Sequence, residues 1–249
     1  MPISTLQEIT NIFYINLEAR TDRKEHIEAQ LKQVGFNTFE RFNAVYLKEN
    51  GRVACTLSHI KCLERAKERG LEHLLICEDD TTFLNVPLFT NQLNTFLAKN
   101  HAWDVVLFAG NNVPPYERID ETCVKISKCQ TTTCYLVGAH YFETLIANMK
   151  EGLAKLMREP DNHFTYAVDK YWQMLQLKDN WFLITPLTVI QREDYSDIEQ
   201  KRTNYGQMMV DLDKAHMFPQ SAAVPSANVV PLPPNFKMSD IGKMRFSFR

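Results

Sequence analysis

The segment HLLICEDDTTF, residues 73–83, constrains this chain more than any other: an apolar run ends abruptly in three successive carboxylates, Glu78, Asp79 and Asp80. Leu74 to Cys77 is too short a run for a helix of ordinary length, and unbroken apolarity over that span predicts a strand buried on both faces. Ligands of open α/β sheets bind in the crevice beyond the carboxyl ends of the strands, so the acids are expected at such an edge. Alternation along the strand predicts Glu78 and Asp80 on one side and Asp79 on the other.

Three adjacent acids repel one another and destabilise a fold near its core unless a cation or hydrogen-bond donors compensate them. Two carboxylates on one side make half of a metal site. Oxygen ligands of this hardness select Mg²⁺, Mn²⁺ or Ca²⁺ over zinc. The plainer alternative is an acidic turn that sits in water.

The flanking pattern alternates strand and helix. NIFYINL, residues 11–17, reads as a first strand, and a helix follows from Thr21 or Asp22, with Ile27, Leu31 and Val34 on one face and Gly35 as its stop. Asn16, Arg20 and Arg23 therefore lie at a strand-to-helix junction, where two guanidiniums and a helix start suit a diphosphate or are simply a solvated helix start. FERFNAV, 39–45, predicts a second strand and 56–69 a second helix, with Ser58 and His59 in its first turn. His59 either touches a substrate or hydrogen-bonds within the fold.

Beyond the acids, a helix opened by Pro87 leads to the apolar strand WDVVLFAG, 103–110, and a loop at Asn111 and Asn112, which contacts a sugar or only makes the turn. Strands are expected at 123–127 and 132–137, then a helical region with Phe142, Leu145, Ile146 and Met149. AVDKYWQMLQL, 167–177, resumes helical spacing and puts Asp169 in a first turn, as a helix-dipole partner or a base in the cleft. WFLIT and LTVIQ, split by Pro186, read as strands. This alternation predicts an α/β fold with a mixed, mostly parallel, Rossmann-like sheet flanked by helices.

Composition narrows the function classes. A net charge of -2 leaves no broad basic face, which argues against nucleic acid as the main partner. No apolar stretch approaches the ~18 residues of a membrane span and no signal segment opens the chain, so a cytoplasmic enzyme is expected. Six cysteines without a CxxC pair read as reduced, mostly buried thiols. Five prolines between 219 and 234 make residues 218–249 an extended arm, whose basic and aromatic ending docks on a partner, on its own domain or peripherally on a membrane.

Read together, YINLEARTDR (14–23), ERFNAV (40–45), ACTLSHIKCLERA (54–66), LLICEDDTTF (74–83) and PLTVIQREDYSDIE (186–199) resemble glycosyltransferase family 25. The resemblance runs from about residue 12 to about 200. It implies a GT-A-like fold over residues 1–217, with a nucleotide-binding half at about 10–112 and an acceptor half at about 113–217. It further implies transfer of a hexose, galactose or glucose, from a UDP-sugar to a glycan or glycoprotein hydroxyl, with inversion and with Mn²⁺ or Mg²⁺. Glu78 and Asp80 then stand near the metal. Asn16, Leu17, Arg20, Arg23, Ser58, His59, Asp79, Asn111 and Gln191 make the nucleotide-sugar set, and Asp169 and Asp197 are the candidate bases. Two positions depart from the family pattern: Ala54-Cys55 and Thr133-Cys134 each stand where a glycine is expected before the second residue. The rival readings are a nucleotidyl or phosphoryl transferase, which uses the same carboxylates, and a non-catalytic carbohydrate-binding module.

Overall fold

A computed structural model describes residues 3–196 and 198–214. The expected arm at 218–249 and the candidate base Asp197 lie outside the described residues. The strands are β1 (Ile12–Asn16), β2 (Glu40–Asn43), β3 (His73–Glu78), β4 (Thr81–Phe83), β5 (Val105–Leu107), β6 (Asn111–Asn112), β7 (Tyr116–Arg118), β8 (Cys123–Ile126), β9 (Cys129–Gln130), β10 (Cys134–Gly138), β11 (Trp181–Ile184), β12 (Val189–Gln191), β13 (Asp194–Ser196) and β14 (Lys201–Thr203). The helices are α1 (Thr21–Val34), α2 (Gly51–Glu68), α3 (Val86–Ala98), α4 (Phe142–Arg158), α5 (His163–Tyr166), α6 (Val168–Tyr171), α7 (Gln173–Gln176) and α8 (Gly206–Val210).

Eight strands form one mixed sheet in the order β2-β1-β3-β10-β5-β11-β8-β7. The strand-helix alternation of the first third gives parallel pairing of β1 with both β2 and β3, and β11 runs parallel to β5. β10 enters between β3 and β5 antiparallel to both, so the sheet is mixed at its centre.

β3 is buried on both faces, as its unbroken apolarity requires. Leu74 and Ile76 join the core that holds α2 and α4 residues such as Leu63 and Leu145; Leu75 and Cys77 join the opposite core, with Ile27 of α1 and Phe89 of α3. Both cores are closed to solvent. A helix pair therefore covers each face, and the acids leave the sheet between them.

Local chemistry explains the boundaries. Gly35 ends α1 at φ 100°, a left-handed conformation that glycine adopts without Cβ strain. α2 starts five residues before the sequence pattern predicted, because the Asn50 side chain accepts the Val53 N–H and caps the helix there. The helix expected over 167–177 begins at Val168, because Ala167 is extended at ψ 149° and parts it from α5, and it divides into α6 and α7 at Trp172. LTVIQ does not join the main sheet; β12 pairs antiparallel with β4, directly after the acids. Among the described residues no helix is long and apolar enough to cross a membrane, and all six cysteines are free thiols.

Candidate active site

β3 ends at Glu78, and Asp79 and Asp80 form the turn into β4. Alternation holds through the first two acids. Glu78 turns to the α2 face, where its Oε1 accepts from Thr132 Oγ1 at 2.6 Å and meets His59 Nε2 at 3.2 Å. Asp79 turns to the α1 side, accepting from Asn16 Nδ2 at 2.7 Å and Arg23 Nη1 at 2.9 Å. At Asp80 the expected alternation fails, because the chain is already in the turn. Asp80 meets the same Arg23 Nη1 at 3.4 Å instead of standing beside Glu78 on the α2 face.

Burial and charge set the protonation of the three acids. Burial, reinforced by the negative charge of Glu78, pushes Asp80 up to about 8 despite Arg23. Burial also raises Asp79, against the pull of Arg23 and Asn16. Glu78 goes the other way: burial opposes its charge, but hydrogen bonds from His59, Thr132 and Gln191 outweigh it and hold the carboxyl below its ordinary value.

Asp80 Oδ1 is buried with no hydrogen-bond partner. A buried carboxylate oxygen without a donor costs free energy unless something positive reaches it. The unsatisfied Asp80 oxygen has the chemistry of a hard-cation ligand, and Glu78 offers carboxylate oxygens at the neighbouring strand end, although the two side chains turn to different partners.

Two clefts meet at this edge. The first, about 380 Å³, is lined by Asn16, Leu17, Arg23, Ser58, His59, Asp79 and Asp80 among others. The second, about 450 Å³, is lined by Arg52, Asn111, Thr131, His163, Phe164 and Asp169 among others. Glu78, Gln191, Cys55, Ser196 and Ile198 line both. Gln191 Nε2 donates to Glu78 Oε2 at 3.1 Å, so the carboxylate stands on the border between the clefts.

Most of the residues expected from the sequence thus converge, with different roles. Asn16 lies within the fold: its Nδ2 holds Asp79, and its own Oδ1 accepts from Arg41 Nε at 2.9 Å. Ser58 lines the first cleft with its hydroxyl already engaged, donating to the Ala54 carbonyl and accepting from Val45 N–H. His59 is buried, its Nδ1 3.0 Å from the Tyr135 hydroxyl. Arg20 stands outside the lining of the first cleft and shares Asp194 Oδ2 with Arg23 and Arg192, at 3.1, 3.2 and 2.7 Å. Asn111, expected in the nucleotide-sugar set, lines the second cleft, because β6 pairs with β9 and faces that side.

Asp169 lines the second cleft and accepts the Thr131 N–H at 3.1 Å. Burial raises its carboxyl above the ordinary range, against the opposing pull of Lys170 and that N–H. Thr131 sits at φ 77°, a left-handed conformation strained for a β-branched residue. The strain turns the chain so that Thr131 holds Asp169 while Thr132 holds Glu78. Sequence reading missed Thr132, Tyr135, Arg41 and Asp194. Thr132 reaches Glu78 and Tyr135 reaches His59 only because β10 inserts beside β3, which no local pattern signals; Asp194 lay inside the REDYSDIE motif, two residues after Arg192.

The sequence profile of glycosyltransferase family 25, described as LPS biosynthesis protein, matches residues 49–155. That stretch runs from the start of α2 through β3, its acids, β10 and most of α4. A search of curated proteins returned no match. Solved structures similar to this chain include a glycosyltransferase involved in glycosylation of the major capsid of PBCV-1, at 13% identity and TM-score 0.47, covering 76% of this chain and 95% of that one. A Drosophila β-1,4-galactosyltransferase 7 in complex with manganese, UDP-Gal and xylobiose is similar at 16% identity and TM-score 0.32, over 54% of this chain and 50% of that one. A nucleoside-diphosphate-sugar pyrophosphorylase from Vibrio cholerae RC9 is similar at 16% identity and TM-score 0.36, over 74% and 77%. These structural likenesses are too distant to bear on the chemistry.

Proposed function

We propose that this chain, a glycosyltransferase of family 25, moves a hexose from a UDP-sugar to a saccharide or protein hydroxyl with inversion, and that the two clefts divide the work. The observation that carries the reading is the position of Glu78, a carboxylate held by three donors on the border between a cleft lined by arginine-tied acids and a cleft holding Asp169. On this reading residues up to about 112 supply most of the donor side and later residues most of the acceptor side.

Glu78 and Asp80 are the residues that hold Mn²⁺ or Mg²⁺, with Asp79 kept in place by Asn16 and Arg23. When bound, the ion supplies positive charge for the diphosphate that leaves. Arg23, at the first cleft, and Arg20, at its edge, add guanidinium donors for the same anion; both now engage carboxylates that a diphosphate competes with. Such donors accelerate transfer to the extent that they bind the charge on the leaving group better in the transition state than in the substrate.

Inversion needs a base on the face of the sugar opposite the diphosphate. Asp169 is the base on this reading: burial raises its affinity for a proton, and the Thr131 N–H fixes one oxygen so that the other is available to the acceptor hydroxyl. It accepts the hydroxyl proton as the acceptor oxygen bonds to the anomeric carbon and the bond from that carbon to the phosphate oxygen breaks.

The test is hydrolysis of UDP-hexoses in the absence of acceptor, measured by released UDP. Turnover that requires Mn²⁺ or Mg²⁺ and is lost in Asp80→Ala is the expected result. Turnover of nucleoside triphosphates in place of UDP-sugars favours a nucleotidyl or phosphoryl transferase. Binding of saccharide with no response to nucleotide or metal favours a carbohydrate-binding module.

A further inference from the structure

Glu78 belongs to a second constellation that the proposed reaction does not use. Cys55 and His59 sit four residues apart on α2 and so share one face of the helix. That face is turned to the end of β3. The Cys55 sulfur, a ring nitrogen of His59 and a Glu78 oxygen all lie within 4.8 Å of one another. Cys55 Sγ is 4.0 Å and His59 Nε2 3.2 Å from the same oxygen, Glu78 Oε1.

We propose that Cys55, His59 and Glu78 form a site for a thiophilic divalent cation, Zn²⁺ in particular, distinct from the hard-ion site of Glu78 and Asp80 and sharing Glu78 with it. Tetrahedral zinc with bonds of about 2.0–2.3 Å holds its ligand atoms about 3.3–3.6 Å apart. The separations of 4.0 and 3.2 Å to Glu78 Oε1 bracket that range, and the Cys55 sulfur and the His59 nitrogen lie within 4.8 Å of each other, so the three ligands close on one ion by a small inward shift. One sulfur, one imidazole nitrogen and one carboxylate make a donor set that favours zinc over magnesium or manganese.

The surroundings of the three ligands suit a bound ion. His59 Nδ1 faces the Tyr135 hydroxyl at 3.0 Å, and a hydroxyl both donates and accepts. Without metal, the Tyr135 O–H donates to Nδ1 and Nε2–H donates to Glu78. With metal, the proton sits on Nδ1 and is accepted by the Tyr135 oxygen, which leaves Nε2 to ligate. Such a partner behind a metal-bound imidazole fixes its tautomer and orientation. Thr132 Oγ1 at 2.6 Å and Gln191 Nε2 at 3.1 Å steady the carboxylate in the same way. Both Cys55 and Glu78 line both clefts, which gives an ion an entry path and an open fourth position. Binding breaks the Cys55 S–H bond, and that proton passes to solvent. The ion then carries two anionic ligands and one neutral one.

The other grouping of this kind among the described residues, His101, Asp120 and Cys123, is a poorer candidate. Asp120 already accepts from Lys99 Nζ at 3.0 Å, so an ammonium supplies the positive charge that an ion would bring.

The site is tested on the full chain with Co²⁺ as a spectroscopic stand-in for Zn²⁺, a measurement that does not depend on whether the chain turns over UDP-sugars. The expected result is one Co²⁺ per chain, with intense tetrahedral visible bands and a thiolate-to-cobalt charge-transfer band, both displaced by Zn²⁺. Cys55→Ser should remove the charge-transfer band, and His59→Gln should weaken Co²⁺ binding at least about tenfold. Cys123→Ser should leave the spectrum intact. Circular dichroism of each variant separates lost binding from lost fold; if one of the pair does not fold, the other carries the test. Weak octahedral absorption alone in the wild-type chain, a band that survives in Cys55→Ser, or a band lost in Cys123→Ser overturns the proposal. Mn²⁺-dependent hydrolysis by a chain that shows no thiolate band would overturn this site and leave the proposed function standing.

Discussion

The two clefts on either side of Glu78 surround their carboxylates with different partners, arginines in the first and a backbone N–H in the second. In the first, Asp79 and Asp80 share Arg23, and Asp194 at its edge gathers Arg20, Arg23 and Arg192. In the second, Asp169 accepts the Thr131 N–H, and burial raises its proton affinity. Burial opposes the charge of Asp194, but Arg192, the Tyr195 N–H and Arg23 hold it well below the ordinary carboxylate range, whereas at Asp79 and Asp80 burial wins over Arg23. The forked donors of arginine are suited to exchange a carboxylate for a phosphate. A buried carboxylate with one backbone donor stays basic. The difference teaches that acids on one shared edge hold their protons differently, according to whether donors and cations, as at Asp194, or burial, as at Asp80 and Asp169, dominate around each one.

The sharpest way to break this division is Asp169→Asn. Transfer should fall about 10²–10⁴-fold, the usual contribution of a positioned base, while UDP affinity measured by titration calorimetry stays the same. An equal loss of UDP affinity would dissolve the distinction between the clefts.

Arg23→Ala tests the other side. It strips two buried acids of their common partner, and the loss of one member of a buried charge cluster costs about 3–5 kcal/mol. Unfolding by urea should show that loss. Mn²⁺ should then raise the melting temperature of the variant more than that of the wild type, because the cation replaces charge that the arginine supplied. Equal shifts would mean that the ion and Arg23 do not act on the same acids.

Asp120 offers a smaller comparison, since it lines neither cleft. Burial opposes its charge, but hydrogen bonds from Thr122, Lys99 and His101 win and hold it well below the ordinary carboxylate value. A depressed carboxyl stabilises the fold above its unfolded value of about 3.9 and loses that contribution as pH falls through the folded value. Asp120→Asn should therefore cost about 1 kcal/mol at pH 7, and the gap from wild type should stay level down to about pH 5 and narrow below pH 4. A gap that widens on acidification would reverse the sign of this account.

Parts of the site were open to reading in the chain itself. The NLxxRxDR and EDD segments each end a buried strand, and local periodicity places strand ends. Asn16, Arg23 and Asp79 therefore lie at one edge of the sheet, where the folded chain ties them together by hydrogen bonds that the sequence did not foretell. Ser58 shows the limit of that reading: its position on α2 was legible, but its hydroxyl is spent on the Ala54 carbonyl one turn back and on the Val45 N–H, which only the folded loop supplies. Asn111 went to the other cleft because a two-residue strand chose its partner from β9, eighteen residues on. The split at Trp172 was hidden as well, since the helical spacing of 167–177 runs through that residue without a glycine or proline to mark a break.

What the sequence by itself determined is where the charge gathers: an apolar strand too short to be a helix, ending in three acids, fixes a charged edge on a covered sheet. Only the tertiary structure decided what each acid does. The antiparallel entry of β10 brought Thr132 and Tyr135 to the α2 side, the turn carried Asp80 to Arg23, and the broken helices set Asp169 in the second cleft. The reason is one of range: alternation and burial act between near neighbours in the chain, whereas the charge and hydrogen bonds around a carboxyl come from whichever distant segments pack against it.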